Sequence, residues 1–192
     1  MRKILIIITL FSALNAETLW TENGLGFNSG MHGSGMHWYY GYFNSESYGW
    51  SFEARLYDLK GENELPSYDP RYGTVTTTGG ISLVMITGEA GFMFFPFAGK
   101  IANNFSPFVN IQLGPNFIFD APEEGGFLER WKQAQTYTAL AGYVGLGASF
   151  YISYKTVVSV SAGYDFLMLP KIIDGSDDYS GLLLKFTFSR RK

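Results

Sequence analysis

The sequence predicts an all-β fold, a single eight-stranded antiparallel up-and-down barrel that crosses a membrane. Three observations carry this. Apolar residues alternate with small or polar ones over runs of about ten residues, the period of a strand whose two faces meet different surroundings. Eight such runs occur, and an even number brings both ends of a barrel to the same side. The connections also alternate in length: 44–47, 99–105 and 153–155 are short or modest, and 59–75, 120–137 and 168–179 are long. The first connection, 32–35, is a short exception.

The first run, 22–31, sets Leu25, Phe27 and Met31 against Gly24, Gly26, Asn28 and Gly30. In the second, 36–43, Trp38, Tyr40 and Tyr42 oppose His37, Tyr39 and Gly41. The third, 48–58, opposes Tyr48, Trp50, Phe52, Ala54 and Leu56 to Gly49, Ser51, Glu53, Arg55 and Tyr57, which puts an acid and a base on the face away from the aromatics. The fourth, 76–98, changes parity: Ile81, Leu83 and Met85 are apolar on odd numbers, whereas Ala90, Phe92 and Phe94 are apolar on even ones. One extra residue flips side-chain direction, so a β-bulge is expected near Gly88. That bulge turns Glu89 inward, away from hydrocarbon, where a carboxylate would cost several kcal/mol.

The fifth run, 106–119, places Val109, Ile111, Leu113, Phe117 and Phe119 opposite an amide-rich row of Asn110, Gln112, Gly114 and Asn116. In the sixth, 138–152, Leu140, Val144, Leu146, Phe150 and Ile152 oppose Ala141, Gly145, Gly147 and Ser149. The seventh, 156–167, opposes Val158, Val160, Ala162, Tyr164 and Phe166 to Val157, Ser159, Ser161, Gly163 and Asp165. The eighth, 180–189, shows the pattern best: Leu182, Leu184, Phe186 and Phe188 share one face, with Leu183, Lys185, Thr187 and Ser189 on the other.

A sheet in lipid must pair all its backbone polar groups, so these strands are expected to close, the first against the last. The alternative, a soluble sandwich or lipocalin-like barrel, would point its apolar row inward and carry Lys and Glu outside. The rows opposite the apolar ones hold mostly Gly, Ser, Asn, Gln and Tyr, which favours the membrane reading. The inner wall is then predicted to carry a polar network of His37, Glu53, Arg55, Glu89, Asn110, Gln112, Asn116, Asp165 and Lys185, with Asn28 and tyrosines 39, 57 and 143. Eight strands leave an interior just wide enough for side chains to fill. A plugged lumen follows, with Arg55 and Glu89 as an expected ion pair; a narrow polar conduit is the alternative.

Composition limits the other possibilities. Of 192 residues 18% are aromatic and only 16% charged, with 23 glycines, an odd balance for a soluble globule. Arg2 and Lys3 precede an apolar run, Ile4 to Phe11, and then small residues, which reads as a secretory signal peptide spanning 1–16 and leaving a barrel domain of 17–192. The run is shorter than the roughly 20 residues a membrane-spanning helix needs. Removing it shifts the formal charge from −3 to −5. Such an acidic balance provides no footprint for nucleic acid. The absence of cysteine excludes a disulfide framework, a thiol nucleophile and a thiolate metal site.

With the export signal, the eight alternating runs and the terminal stretch Leu182 to Phe188, the chain resembles the small outer-membrane barrels of the OmpA, OmpX and OmpW type. The resemblance spans nearly all of 17–192 and is architectural; the segment Phe95 to Phe108 is also similar to a turn found in such families. It implies residence in the outer membrane of a Gram-negative cell, contact with membrane lipid and lipopolysaccharide, and no cofactor. It further implies that the barrel-assembly machinery reads a terminal aromatic, here Phe188, although Ser189 to Lys192 follow it. OmpW-like members imply passive transport of small apolar molecules as an alternative to a structural or surface-interaction role.

His32 and Ser34 resemble the pair used by outer-membrane lipid A deacylases, in which His activates Ser and a carboxylate orients His. Here the pair lies near the first strand rather than late in the chain, with no assignable acid partner, and an ordinary tight turn with permissive Gly33 and Gly35 accounts for it better. The long loops, counting Asp58, hold 11 of the 17 acids. Asp174 to Asp178 lacks the ligand spacing of a calcium loop and reads as a solvated acidic turn. Residues 127–134 could form a short helix at the barrel mouth.

Overall fold

The computed structural model describes residues 19–59, 65–70, 73–78, 83–101, 104–122, 129, 132–173 and 176–192. The predicted signal peptide, and half of the segment read as a short helix at 127–134, lie outside the described residues. The described chain runs as β1 (Trp20–Gly30), β2 (Gly33–Phe43), β3 (Tyr48–Leu59), β4 (Leu65–Asp69), β5 (Thr74–Thr78), β6 (Leu83–Phe94), β7 (Phe105–Asp120), β8 (Gln135–Tyr151), β9 (Thr156–Ile173), β10 (Ser176–Asp178) and β11 (Gly181–Arg191).

Eight strands form the wall, and all of their pairings are antiparallel. β1 pairs with β2, β2 with β3, β3 with β6, β6 with β7, β7 with β8, β8 with β9, β9 with β11, and β11 returns to β1. The closing ladder is continuous from Glu22 opposite Arg191 to Gly30 opposite Leu183. Closure gives each wall strand two neighbours, the condition a sheet must meet in hydrocarbon. β4 and β5 make a separate hairpin, and β10 adds to the upper part of β9.

Side chains alternate across the wall as a period of two demands. In β11, Leu182, Leu184, Phe186 and Phe188 are 48–65% exposed, while Leu183, Lys185, Thr187 and Ser189 are buried in the lumen. The outer row continues through Leu25 and Phe27 on β1, Met36 and Trp38 on β2, Phe52 and Leu56 on β3, Ile111 and Leu113 on β7, and Leu146 on β8, all exposed. A packed centre of large apolar residues would have hidden these positions. An 11-residue strand such as β1, tilted by about 40°, rises roughly 28 Å, close to the height of the apolar band of a barrel in a bilayer. The closed sheet is therefore a membrane-spanning wall with its oily face in contact with lipid.

The turns at 44–47, 95–101 and 152–155 lie at the end that carries the start of β1 and the finish of β11; in barrels of this class that end faces the periplasm. The wall is uneven at the other end. β9 continues from Asp165, the partner of Gly181, up to Ile173, and β7 and β8 rise beside it. An aromatic girdle surrounds the periplasmic half: Tyr48 stacks on Phe92 (5.8 Å), Trp50 meets Phe92 edge-on (6.0 Å) and Phe105 packs on Phe150 (5.4 Å). Amphipathic rings are expected at such a boundary.

The fourth run differs from the sequence reading. There is no bulge at Gly88: β6 pairs with β3 in one register from Tyr48 opposite Phe94 to Asp58 opposite Val84. Even-numbered Ile86, Phe92 and Phe94 face outward throughout, and Leu83 and Met85 point into the lumen. The change of parity thus comes from apolar residues inside the barrel, not from an inserted residue. Glu89 faces inward, but by ordinary alternation. The run is also shorter than 76–98, because Thr74–Thr78 belongs to the hairpin with β4. The first turn shrinks to Met31 and His32, since β1 and β2 pair as far as Gly30 opposite Gly33.

Candidate functional site: the barrel lumen

Filled at three levels, the lumen has its charged layer in the middle. Arg55, on β3, is fully buried and surrounded by three carboxylates carried by three strands. Its Nη2 donates to Glu89 Oε2 on β6, and its Nη1 donates to Asp165 Oδ1 on β9 at 2.7 Å. Its Nε lies 2.6 Å from Glu53 Oε1, in charge contact but off the line of a hydrogen bond. Nη1 also donates to Tyr57 Oη (3.1 Å), and that hydroxyl donates to Asp165 Oδ2 (3.0 Å). A planar guanidinium has five N–H donors in a fixed fork, which suits one cation to several carboxylates.

Lys185 on β11 extends this group. Its Nζ donates to both oxygens of Glu53 (3.1 and 2.9 Å) and to Gln112 Oε1 (3.0 Å), and lies 3.7 Å from the centre of the Tyr143 ring. Gln112 Nε2 donates to Ser51 Oγ (3.2 Å), which in turn donates to Asn110 Oδ1 (3.2 Å). Strands β3, β6, β7, β9 and β11 are thus tied together across the lumen by one connected network. Isolated charges could not be held there; paired and hydrogen-bonded ones can.

Two smaller groups flank it. His37 is hydrogen-bonded through Nδ1 to Asn28 Oδ1 (3.1 Å) and through Nε2 to Thr187 Oγ1 (2.9 Å). Gly26 makes room for this ring, since a Cβ there would stand 2.4 Å from it. Thr87 donates to Asn116 Oδ1 (3.1 Å), and Asn116 Nδ2 reaches Met85 Sδ at 3.2 Å.

Apolar layers close both ends. On the outer side Leu83, Met85, Ile118, Leu167, Leu183 and Tyr179 pack together. On the periplasmic side Tyr39, Phe43, Met93, Phe95 and Phe108 form an aromatic floor, with Phe95 tilted against Phe43 (5.8 Å) and edge-on to Phe108 (5.9 Å). Two voids inside the lumen, one beside Lys185 and Phe108 and one beside Asp165 and Tyr179, measure about 20 Å³ each. Each has room for about one water molecule.

All nine polar residues expected in the interior are buried in the lumen, as are Asn28 and tyrosines 39, 57 and 143. Glu53, Arg55, Glu89, Asn110, Gln112, Asp165 and Lys185 share one network, whereas His37 and Asn116 stand in the flanking groups. Sequence reasoning missed Ser51, Thr87 and Ser161, whose Oγ accepts from Tyr143 Oη (3.2 Å), as partners; they are short polar residues on inward rows, and only register identifies what they meet. It also missed the apolar layers, whose signal was the parity change at Leu83 and Met85 and the lone Leu183 in a polar row. Among the described residues no cluster of His, Asp and Glu is arranged to hold a metal ion.

The His32 and Ser34 arrangement is not that of a catalytic pair. Ser34 lies on the outward row of β2 with Met36 and Trp38, while the His32 ring packs edge-on to Tyr179 at 5.8 Å. At the outer tip, hydrogen bonding from the Ser180 side chain and from its N–H, which donates to Asp178 Oδ1 at 2.8 Å, favours the charged form and holds the Asp178 carboxyl below its usual range.

No family model and no curated protein matches the sequence. Solved structures do match in fold. The attachment invasion locus protein Ail of Yersinia pestis is 13% identical, with 90% of this chain and 98% of Ail covered and a TM-score of 0.52. The N-terminal β-barrel domain of Pseudomonas aeruginosa OprF is 9% identical, over 90% of this chain and 96% of that domain, TM-score 0.52. The outer membrane protein OprG of Pseudomonas aeruginosa is 12% identical, over 90% of this chain and 95% of OprG, TM-score 0.52. With its oily outer face and this closed eight-stranded architecture, the chain has the fold of the small outer-membrane β-barrel proteins.

Proposed function

We propose that the mature chain, released by cleavage of the signal peptide after Ala16, is a sealed and non-enzymatic barrel of the outer membrane, serving a structural or surface-interaction role through its outer loops. The observation that carries this reading is Arg55 bound to carboxylates from β3, β6 and β9 across the full width of the lumen. A cross-braced interior between two apolar layers supports a pillar rather than a pore. The His32 ring packs on Tyr179 rather than against Ser34, which argues against an activated serine and so against lipid-modifying chemistry. Membrane lipid and lipopolysaccharide are the expected surroundings, and the barrel-assembly machinery the expected reader of the last strand, whose Phe188 faces outward.

Ail has been solved in complex with the heparin analogue sucrose octasulfate. A polyanion of that kind suits this chain poorly, because the described outer segments carry Asp58, Asp69, Asp120, Glu129, Asp177 and Asp178. A cationic or neutral external partner fits better. The direct test is conductance in planar bilayers together with solute uptake by proteoliposomes. A plugged lumen predicts neither steady channels nor uptake of small polar solutes; steady openings of uniform size would overturn the reading.

A second reading, passage of small apolar molecules, rests on one feature of the wall. The β6–β7 ladder is interrupted between Thr87 opposite Asn116 and Ala90 opposite Leu113, where Pro115 has no N–H to donate. Ala54, Gly88, Ala90 and Gly114 leave a lipid-facing dent of about 360 Å³ beside this gap, flanked by Trp38, Phe52 and Leu113. Uptake of an apolar dye that is abolished by filling the dent, as in Gly88→Leu, would favour this reading over a purely structural role.

A further inference from the structure

Beyond the lumen, a wide hollow lies at the periplasmic rim. A cleft of about 840 Å³ opens between the 152–155 turn and the start and finish of the closing strands, and is lined by Leu19, Trp20, Tyr151, Tyr154, Lys155, Arg191 and Lys192 among others. Three of these carry positive charge. Arg191 is clamped: its guanidinium lies 4.3 Å from the Trp20 ring and 4.5 Å from the Tyr151 ring, and it donates to Glu22 Oε1 at 3.2 Å. Lys155 sits in a turn fixed by Ser153, whose Oγ accepts the N–H groups of Lys155 (3.3 Å) and Thr156 (3.1 Å). The two are joined directly, because the Arg191 N–H donates to the Lys155 carbonyl at 2.8 Å. Lys192 is held by reciprocal backbone bonds with Thr21 (2.8 and 3.0 Å).

The charge of this rim is one-sided. Lys100, Lys155, Arg190, Arg191 and Lys192 stand at the periplasmic end, where the described acids are Glu22, engaged by Arg191, and Glu46 in the opposite turn. The outer end has the reverse balance. The cleft also borders apolar surface: Tyr154 is 80% exposed and Leu19 57%, and Ile152 in the same turn is exposed too. A ligand seated here would place an anion against cations and aromatic edges, and its apolar part along a surface that already faces lipid. Polar heads belong at this depth, and basic side chains attract anionic headgroups there.

We propose that the cleft formed by Trp20, Tyr151, Tyr154, Lys155, Arg191 and Lys192 is a binding site for the phosphodiester headgroup of an anionic phospholipid in the periplasmic leaflet. The proposal rests on the reading of the chain as a barrel that spans the outer membrane with its ends in the periplasm. Lys155 and Lys192 contact the phosphate, Arg191 forms the rigid cationic floor, and Leu19 and Tyr154 border the glycerol and upper acyl chains.

The test is native mass spectrometry of the folded barrel titrated with phosphatidylglycerol or phosphatidylcholine of the same acyl length. The wild-type chain should bind the first about tenfold more tightly, and the Lys155→Gln, Lys192→Gln double variant should bind both alike. The Lys132→Gln, Lys171→Gln variant, altered at the outer end, should keep the preference. Millimolar inorganic phosphate should not displace the lipid, since the apolar part of the ligand contributes. Equal affinity of the wild-type chain for the two lipids, loss of preference in the outer-end variant, or displacement by phosphate alone would each overturn the site. Lipid contact along the belt, measured in parallel on β11, separates the failures: an intact belt without preference removes the site alone, whereas a belt out of contact with lipid removes the barrel reading as well.

Discussion

Replacing Arg55 by methionine removes the cation from the middle of the lumen while keeping most of the side chain's length. Glu53 retains Lys185, but Glu89 and Asp165 lose their ion-pair partner within a layer that is almost wholly buried. Breaking a buried pair by deleting one partner costs about 3–5 kcal/mol, chiefly through the charge left behind. One guanidinium serves three carboxylates here, so a loss toward the upper end of that range is expected. The assay is urea unfolding of the barrel in lipid vesicles, followed by tryptophan fluorescence and by the mobility shift of folded barrel on gels. Adding Glu89→Gln to Arg55→Met should recover part of the loss, because one stranded charge disappears. A change below about 1 kcal/mol, the scale of a solvent-exposed pair, would refute the claim that this network braces the lumen.

Other expectations follow from particular positions. Gly114→Ala places a Cβ 1.9 Å from the Gly88 carbonyl oxygen, so the β6–β7 seam must shift; folded yield should fall, with about 1–3 kcal/mol lost in the same unfolding assay. The Asp178 carboxyl is held below its usual range, so its bond to Ser180 adds to stability of the outer tip above the unfolded pKa and is lost as pH falls through the lower folded value. Amide exchange at Ser180 should accelerate only in that acid window, and acceleration on raising the pH through the neutral range beyond ordinary base catalysis would contradict the assignment. Intact-mass measurement of protein purified from envelopes should give a chain beginning at Glu17; a mass retaining Met1 to Ala16 would show that the leader is not removed.

Strand number, direction and inward rows were legible because a membrane barrel presents different solvents to its two faces, and period-two alternation records that difference residue by residue. The pairing of Arg55 with Glu89 was anticipated through a bulge that the strand does not have; Glu89 reaches the inward row of the neighbouring strand by ordinary alternation. Alternation failed at Leu83 and Met85, where the lumen itself is oily and the inward row looks like an outward one. The parity rule assumes a uniformly polar interior, and the apolar cap of this barrel breaks that assumption. Asp165 and Lys185 were recognised as inward residues, but their partners come from β3, over 100 residues away along the chain. Only the register of the closed sheet sets such contacts. The periplasmic pairing of Glu22 with Arg191 was hidden because β11 runs on past Phe188 to Arg191.

The central claim is that the oily row faces lipid and the polar row faces a sealed interior. The sequence contains no cysteine, so single cysteines at successive positions 182 to 188 of β11 can each carry a nitroxide, and the accessibility of each label to oxygen and to a water-soluble nickel chelate can be read in lipid bilayers. High oxygen accessibility at 182, 184, 186 and 188, with low accessibility to both reagents at 183, 185 and 187, is the predicted result. Low oxygen accessibility at the even positions, or free access of the nickel chelate at the odd ones, would contradict it.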